Sequence, residues 1–180
     1  MKIGVMSDTH GSMYFFEKAL RWMKDCQLIL HAGDVLYHGY TRKIEGGFSP
    51  IHLALAIEEM DNIVLAQGNC DSYSDEIALG HPLHFVYALI EGENRKIMLC
   101  HGHSHSRADL IREAENLGAG ILICGHTHIK ELSRENGLIV LNPGSTTLPR
   151  DDSHSAAIIE EKRILLLDIE TGNTLASMDI

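Results

Sequence analysis

Six short apolar runs are the feature that most constrains how this chain folds. The runs have three or four residues each, and they are Ile3–Met6, Leu28–Leu30, Ile63–Ala66, Ile97–Cys100, Ile121–Cys124 and Leu138–Leu141. Most contain β-branched residues and all are short for a helix, so each is predicted to be a buried strand. Segments with helical periodicity lie between several of them. This alternation of strands and helices predicts an α/β fold.

Three helices are predicted between the strands. Ser12 is a predicted N-cap for the first helix, in which Phe15 and Ala19 lie on the inward face. Ser49 followed by Pro50 is typical of a cap and a first-turn proline, which opens the second helix. The third is predicted from about residue 106 to residue 116, and Gly118 stops it.

The last 26 residues, 155–180, show a different pattern from the rest of the chain. Short apolar stretches alternate with turn residues and have no helical period, so we expect antiparallel hairpins that complete a second sheet. No internal repeat, low-complexity linker or composition break marks a domain boundary. Residues 1–180 are therefore predicted to form a single domain, which suits a chain of 180 residues.

Composition narrows the possible partners and location. The net charge of -10 argues against an extensive nucleic-acid surface, which needs clustered Lys and Arg, but not against a small phosphate ester bound through metal. The four cysteines form no CxxC pair and are expected to be reduced thiols. Asp8 interrupts the N-terminal apolar run too early for a signal peptide, and no run is long enough to span a membrane. We therefore expect a cytoplasmic protein.

Residues that bind metals follow these runs directly. The segments are SDTH (7–10), HAGD (31–34), QGNCD (67–71), HGH (101–103), GHTH (125–128) and NPGS (142–145). Ligands bind α/β sheets at the C-terminal ends of strands. Mixed carboxylate, imidazole and amide donors suit Mn²⁺, Fe²⁺ or Zn²⁺ better than Ca²⁺ or Mg²⁺. Each segment alone also fits an ordinary turn, but five in order after five strands predict a metal site.

Two further readings concern how such a site is arranged. An aspartate can bridge two cations with one oxygen to each, and dinuclear sites serve phosphoryl and hydrolytic chemistry. Taken alone, His126 and His128 would be interpreted as a chelate for one ion. His31 and Asp71 are expected to orient turns or ligand side chains rather than to bind metal.

Five segments together resemble the motif blocks of the calcineurin-like metallophosphoesterase superfamily. They are SDTHG (7–11), GDV (33–35), GNCD (68–71), HGH (101–103) and GHTH (125–128), and NPGS (142–145) matches a further turn of the family. The similarity is closest to the small bacterial and archaeal YfcE-type phosphodiesterase branch. It implies one metallophosphoesterase domain with a four-layer α/β/β/α sandwich, two central mixed β-sheets and the site at the strand ends.

The resemblance also implies a ligand set for two divalent cations per chain. Mn²⁺ is expected first, with Fe, Zn²⁺, Ni²⁺ and Mg²⁺ as alternatives. One cation would be held by Asp8, His10 and His128, the other by Asn69, His101 and His126, with Asp34 bridging them. A water or hydroxide shared by the metals would attack the phosphodiester, because metal binding lowers its pKa. The pair His126 and His128 would then straddle two ions.

Four residues are candidate substrate contacts, namely Asn69, Cys70, His38 and His103. Asn69 and Cys70 are predicted to face the substrate, and Cys70 replaces a histidine that is commoner in the wider superfamily and helps to bind phosphate or protonate the leaving group. His103 can supply that acid or a phosphate hydrogen bond, or can instead orient a ligand. His38, in the long loop 37–48, is a candidate substrate contact or a solvated loop histidine.

Two other functions stay open at this point. The same ligand set serves phosphomonoesterases acting on a small phosphate ester, and the sequence does not separate them from diesterases. Some relatives of this fold are protein-binding scaffolds that lack part of the ligand set, whereas all seven ligand positions are competent here. The expected partner is a small phosphate ester, and the chain can be a homo-oligomer. The sequence does not predict the natural substrate.

Overall fold

The computed structural model describes residues 1–37, 44, 46–92 and 95–180. Twelve strands are found in these residues, namely β1 (Ile3–Met6), β2 (Leu28–His31), β3 (Ile63–Ala66), β4 (Leu83–His84), β5 (Ala88–Glu91), β6 (Lys96–Leu99), β7 (Ile121–Ile123), β8 (Lys130–Glu135), β9 (Leu138–Pro143), β10 (Ser155–Ile159), β11 (Arg163–Asp168) and β12 (Thr174–Asp179). Four helices are described, α1 (Met13–Trp22), α2 (Pro50–Glu58), α3 (Tyr73–Leu79) and α4 (Arg107–Asn116).

The strands form two mixed sheets. The seven-stranded sheet has the order β12-β11-β10-β1-β2-β3-β4, and its last four strands are parallel. The five-stranded sheet has the order β5-β6-β7-β9-β8, with β6, β7 and β9 parallel. Parallel strands end at the same edge of a sheet, so the segments after β1, β2 and β3 emerge together, as do those after β6 and β7.

Three apolar cores stack these elements into four layers. Helices α1 and α2 bury Phe15, Phe16 and Leu53 against the outer face of the seven-stranded sheet. Val5 and Leu30, on the other face of that sheet, pack with Ile121, Ile139 and neighbouring residues of the five-stranded sheet. Helix α4 covers the remaining face of the five-stranded sheet through Leu110 and Ala114. The predicted four-layer α/β/β/α sandwich is confirmed.

The predicted hairpins of the C-terminal segment are present, but they belong to the first sheet. Strand β10 pairs antiparallel with β1, with Val5 opposite Ala157, and β11 and β12 continue the same sheet. The expectation that this segment completes a second sheet is therefore wrong. The reason is burial, because Ala157 and Ile159 face the core between the sheets while Ala156 and Ile158 face the helices. A strand that is apolar on both faces occupies a central position.

The apolar pattern did not predict strands β4, β5 and β8 or helix α3. Helix α3 shows why. It has seven residues and buries only Leu79, so it lacks the periodic apolar face of a longer helix. Its ends do carry signals in the sequence. Ser72 and Asp75 form a capping box, and Gly80 ends the helix in the left-handed conformation.

The described helices are short. The longest, α1 and α4, have 10 residues each, and no helix among the described residues combines the length and apolar character that crossing a membrane requires.

Candidate metal centre

Four of the predicted ligands converge where β1 and β2 end. Asp8, His10, Asp34 and His128 each place one donor atom within 4.8 Å of the others, and all four are buried. His128 Nε2 lies 3.2 Å from Asp8 Oδ1 and 3.3 Å from His10 Nε2. We call this group the first half of the centre. It contains every residue that the sequence assigned to the first cation, together with the predicted bridge.

The remaining three ligands lie on the other side of Asp34 and form the second half. His101 Nε2 is 3.2 Å from Asn69 Oδ1 and 3.5 Å from Asp34 Oδ2. The His126 ring centroid is 5.2 Å from that of His101. His101 is buried, whereas Asn69 and His126 are exposed. The second half is therefore the side of the centre that opens to solvent.

The Asp34 carboxylate lies between the two halves. Its Oδ2 atom is 3.8 Å from His10 Nε2 and 3.5 Å from His101 Nε2. Its Oδ1 atom accepts a hydrogen bond from the Cys70 amide at 2.8 Å. One oxygen thus faces both halves while the other holds a loop, which differs from the expectation of one oxygen for each cation.

Backbone carbonyls fix the orientation of three ligand imidazoles. The Nδ1–H groups of His10, His101 and His128 donate to the carbonyls of Tyr37, Ala32 and Leu148 at 2.7, 2.6 and 2.6 Å. A carbonyl only accepts, so the proton of each neutral ring is on Nδ1. Each Nε2 lone pair therefore faces the cluster, which is the arrangement that metal-binding histidines use.

Several acceptor atoms that face the cluster have no hydrogen-bond donor as a partner. Asp8 Oδ2 accepts from the Ser7 hydroxyl at 2.6 Å and from the His126 amide at 3.2 Å, but Asp8 Oδ1 is buried without a hydrogen-bond partner among the described residues. The Nε2 lone pairs of His10 and His128 also face each other. Buried acceptors in contact repel one another unless a cation or proton lies between them. This mixed oxygen and nitrogen donor set therefore fits divalent transition metals.

The ligand backbones are strained in a common way. Among the described residues, six non-glycine residues have positive φ angles, and five of these are predicted ligands: Asp8 (54°), His10 (45°), Asp34 (55°), His126 (67°) and His128 (59°). Such conformations cost on the order of 1 kcal/mol or more each and concentrate at functional sites. The surrounding hydrogen bonds and packing hold the ligands in this conformation.

Two motif glycines allow the strand ends to approach closely. A Cβ atom on Gly68 would lie 2.0 Å from Asp34 Oδ1. A Cβ atom on Gly125 would lie 2.0 Å from the Ser7 hydroxyl and 2.9 Å from Asp8 Oδ2. Gly125 follows a strand of one sheet and Asp8 follows a strand of the other, so the absence of this side chain joins the two sheets at the centre.

Two buried side chains support the loop that carries Asp34. The Asp71 carboxylate accepts from the amides of Asp34, Val35 and Gly68 at 2.8, 2.8 and 2.7 Å, and burial raises its pKa to about 6. Asp71 therefore orients a turn, as the sequence suggested.

His31 is the second buried side chain that supports the loop carrying Asp34. It accepts from the Gly33 amide at Nδ1 (3.1 Å), and its Nε2 lies 3.0 Å from the Thr9 hydroxyl. That hydroxyl donates to the carbonyl of Val35 at 2.8 Å, so the proton on Nε2 donates to Thr9. Burial lowers the pKa of His31 to about 4, which keeps the ring neutral. The neutral ring links the segment carrying Asp8 and His10 to the segment carrying Asp34.

Other support comes from side chains to which the sequence analysis assigned no role. The Ser7 hydroxyl holds one oxygen of Asp8, as described above. The Ser145 and Thr147 hydroxyls donate to the carbonyls of Asp8 and Thr9, each at 2.8 Å. Ser7 and Ser145 lie inside matched motif segments, and this is the signal that could have identified them.

Two of the predicted substrate contacts, Cys70 and His103, lie beside the second half. The His103 ring centroid is 5.3 Å from that of His101 and 6.2 Å from that of His126. Its Nδ1 atom is buried and has no hydrogen-bond partner among the described residues. The Asn69 amide donates to Cys70 Sγ at 3.3 Å, while burial and the nearby Asp34 charge raise the pKa of Cys70 to about 12. His38 lies outside the described residues.

Comparisons with known proteins agree with this geometry. A model of the calcineurin-like phosphoesterase superfamily domain matches residues 1–163. Phosphodiesterase YfcE of Escherichia coli strain K12 is 31% identical over 153 residues, which are 83% of this chain and 82% of that protein. A probable metallophosphoesterase of Methanothermobacter thermautotrophicus is 32% identical over 181 aligned positions, covering 96% of this chain and 94% of that protein.

A solved structure extends the likeness to three dimensions. The structure of YfcE, described as a phosphoesterase from Escherichia coli, superposes with a TM-score of 0.87 at 26% identity and covers 100% of both chains. The family match, the two relatives and the converging donor set lead to one conclusion. This chain belongs to the calcineurin-like phosphoesterase superfamily and is a metal-dependent phosphoric ester hydrolase.

Proposed function

We propose that this chain is a phosphodiesterase that binds two divalent cations, Mn²⁺ most readily, one in each half of the centre. The observation that carries the proposal is the position of Asp34 Oδ2, which lies within 3.8 Å of a ligand nitrogen in each half. Asp8, His10 and His128 would hold one cation, and Asn69, His101 and His126 the other. The name of its relative, phosphodiesterase YfcE, supports the choice of diester substrates.

Once bound, two such cations activate water as a nucleophile near neutral pH and neutralise charge on the phosphoryl oxygens. The chain's own residues prepare the centre for this chemistry. Asp8 and Asp34 supply two negative charges, fewer than two divalent cations would bring, so the loaded pocket is positive on a protein of net charge -10. The exposed side chains of Asn69 and His126 leave the second half open to a substrate.

Protonation of the leaving group limits the range of substrates. A Cys70 thiol with a pKa of about 12 is a weak acid and donates a proton poorly. His103 is the other candidate donor because its ring lies beside His101 and His126, but burial and these two imidazoles lower its pKa, so little of it is protonated near neutral pH. We therefore expect fast hydrolysis of diesters with good leaving groups, such as aryloxides, and slower hydrolysis of alkyl diesters.

A paired-substrate assay tests the proposal. The metal-free protein is reconstituted with Mn²⁺ and offered bis(4-nitrophenyl) phosphate and 4-nitrophenyl phosphate. We expect metal-dependent hydrolysis with a larger kcat/KM for the diester. Asp34→Asn and His126→Ala should each lower kcat by about 100-fold or more, because each removes a metal donor. Asp25→Asn is the matched control, since Asp25 is exposed and lies before β2, at the opposite end of the sheet.

The same assay separates the other candidate functions. A larger kcat/KM for the monoester would favour a phosphomonoesterase over the diesterase. Hydrolysis that is unchanged in Asp34→Asn and His126→Ala would refute the assignment of the centre. No hydrolysis of either ester by protein that binds the metal would favour a scaffold role.

A further inference from the structure

The turn formed by residues 145–150 carries a cation to the edge of the first half. We call these residues the Arg150 turn. At its start, the Ser145 hydroxyl donates to the Asp8 carbonyl at 2.8 Å. Near its end, the Leu148 carbonyl accepts from His128 Nδ1, and the Arg150 amide donates to the His128 carbonyl at 3.0 Å. The backbone of Arg150 is thus fixed directly against a predicted metal ligand.

The carboxylates closest to Arg150 in sequence are engaged elsewhere. Asp151 and Asp152 form ion pairs with the Lys130 ammonium at 2.6 and 3.2 Å, and Asp151 Oδ2 also accepts a hydrogen bond from the Lys130 amide at 2.8 Å. The Arg150 side chain is exposed, and it makes no hydrogen bond or ion pair with any residue in the described parts of the chain. The Arg150 guanidinium is therefore free, and its backbone is fixed next to His128.

The backbone of Arg150 is held next to a residue whose ring belongs to the first half, because its amide donates to the His128 carbonyl. The arginine side chain is long and exposed, so its positive charge is available to an anion that approaches the centre.

We propose that Arg150 binds a phosphoryl oxygen of the substrate at the rim of the first half. The inference rests on the proposed phosphodiesterase function and adds a substrate-binding residue to it. A guanidinium presents a planar fork of donors that matches two phosphate oxygens, and charge-assisted bonds of this kind are stronger than neutral ones. Asp151 and Asp152 are paired with Lys130, so the guanidinium of Arg150 stays available for a phosphate.

The experiment compares Arg150→Gln with Arg21→Gln. Arg21 is also exposed and without a described side-chain partner, but it lies in the last turn of α1, whose first turn is next to the centre. Binding of inorganic phosphate to the Mn²⁺-loaded protein is measured by calorimetry, and KM and kcat are measured with bis(4-nitrophenyl) phosphate. Arg150→Gln should weaken phosphate binding and raise KM about tenfold or more, with a smaller change in kcat.

Two further readouts separate binding from structure. Arg150→Lys keeps the charge without the fork, so its phosphate affinity should lie between those of the wild type and Arg150→Gln. The Mn²⁺ content should be the same in all variants. The inference is overturned if Arg150→Gln binds phosphate as Arg21→Gln does, or if it loses Mn²⁺. Absence of hydrolysis in the wild type would count against the proposed function alone, because weaker phosphate binding by Arg150→Gln would still support Arg150.

Discussion

At the scale of residues, the centre depends on how three imidazoles are held. His10, His101 and His128 each donate Nδ1–H to a main-chain carbonyl, which leaves Nε2 for a cation. The residues that meet at the centre could be predicted from the sequence because each is a particular side chain in a motif. The carbonyls could not, because every residue type supplies one and these lie between 20 and 69 positions away in sequence. Only the folded chain shows which carbonyl each ring meets.

The buried neutral His31 predicts how the stability of the metal-free protein depends on pH. Its pKa is about 4 in the folded chain and 6.5 when exposed, so between these values the unfolded chain binds a proton that the folded chain does not. Stability therefore falls as pH falls through this window. Relative to His31→Gln, the wild type should lose about 2 kcal/mol of unfolding free energy between pH 7 and pH 5.

Urea unfolding of both metal-free proteins at the two pH values measures this loss. The Asp71 carboxylate also titrates in the window, but it is present in both proteins and cancels in the comparison. An equal stability difference at pH 7 and pH 5 would show that His31 is not held neutral.

At the scale of elements, short parallel strands bring the ligands together. Strand β1 was predicted with its observed ends, because an apolar run bounded by polar residues fixes both. The short helix α3 was not predicted because it buries only one side chain. The sheet to which β10 belongs was not predicted because its partner strand lies some 150 residues away in sequence. Local pattern determines the type of an element, whereas packing on both faces determines its neighbours.

Two glycines at the ends of β7 give opposite predictions for the same substitution. Gly125→Ala would place Cβ 2.0 Å from the Ser7 hydroxyl, so it should destabilise the protein by about 1–3 kcal/mol and weaken Mn²⁺ binding. Gly120→Ala meets nothing within 4 Å, so it should leave stability unchanged or raise it by about 0.4–1 kcal/mol, since alanine restricts the unfolded chain.

Chemical denaturation and Mn²⁺ titration of both variants measure these effects. Equal stability and equal Mn²⁺ affinity in the two variants would contradict the view that close packing at Gly125 joins the sheets at the centre.

At the scale of the whole molecule, the two sheets meet so that their parallel strands end at one centre. Asp8 and Asp34 come from the seven-stranded sheet, and His101 and His126 come from the five-stranded sheet. The motif order and the resemblance to a family predicted this fold and the side chains that meet in each half of the centre. Neither predicted that Asp34 would use a single oxygen toward both groups, because the Cys70 amide that occupies the other oxygen is brought there by folding.

The most direct test of the central claim is an anomalous-difference map from crystals of the protein grown with Mn²⁺. The claim is that His126 and His128, two residues apart, serve different cations on either side of Asp34. We expect two peaks roughly 3.5–4 Å apart, one next to His128 and the other next to His126, with Asp34 Oδ2 between them. A single peak bound by both imidazoles would contradict the account.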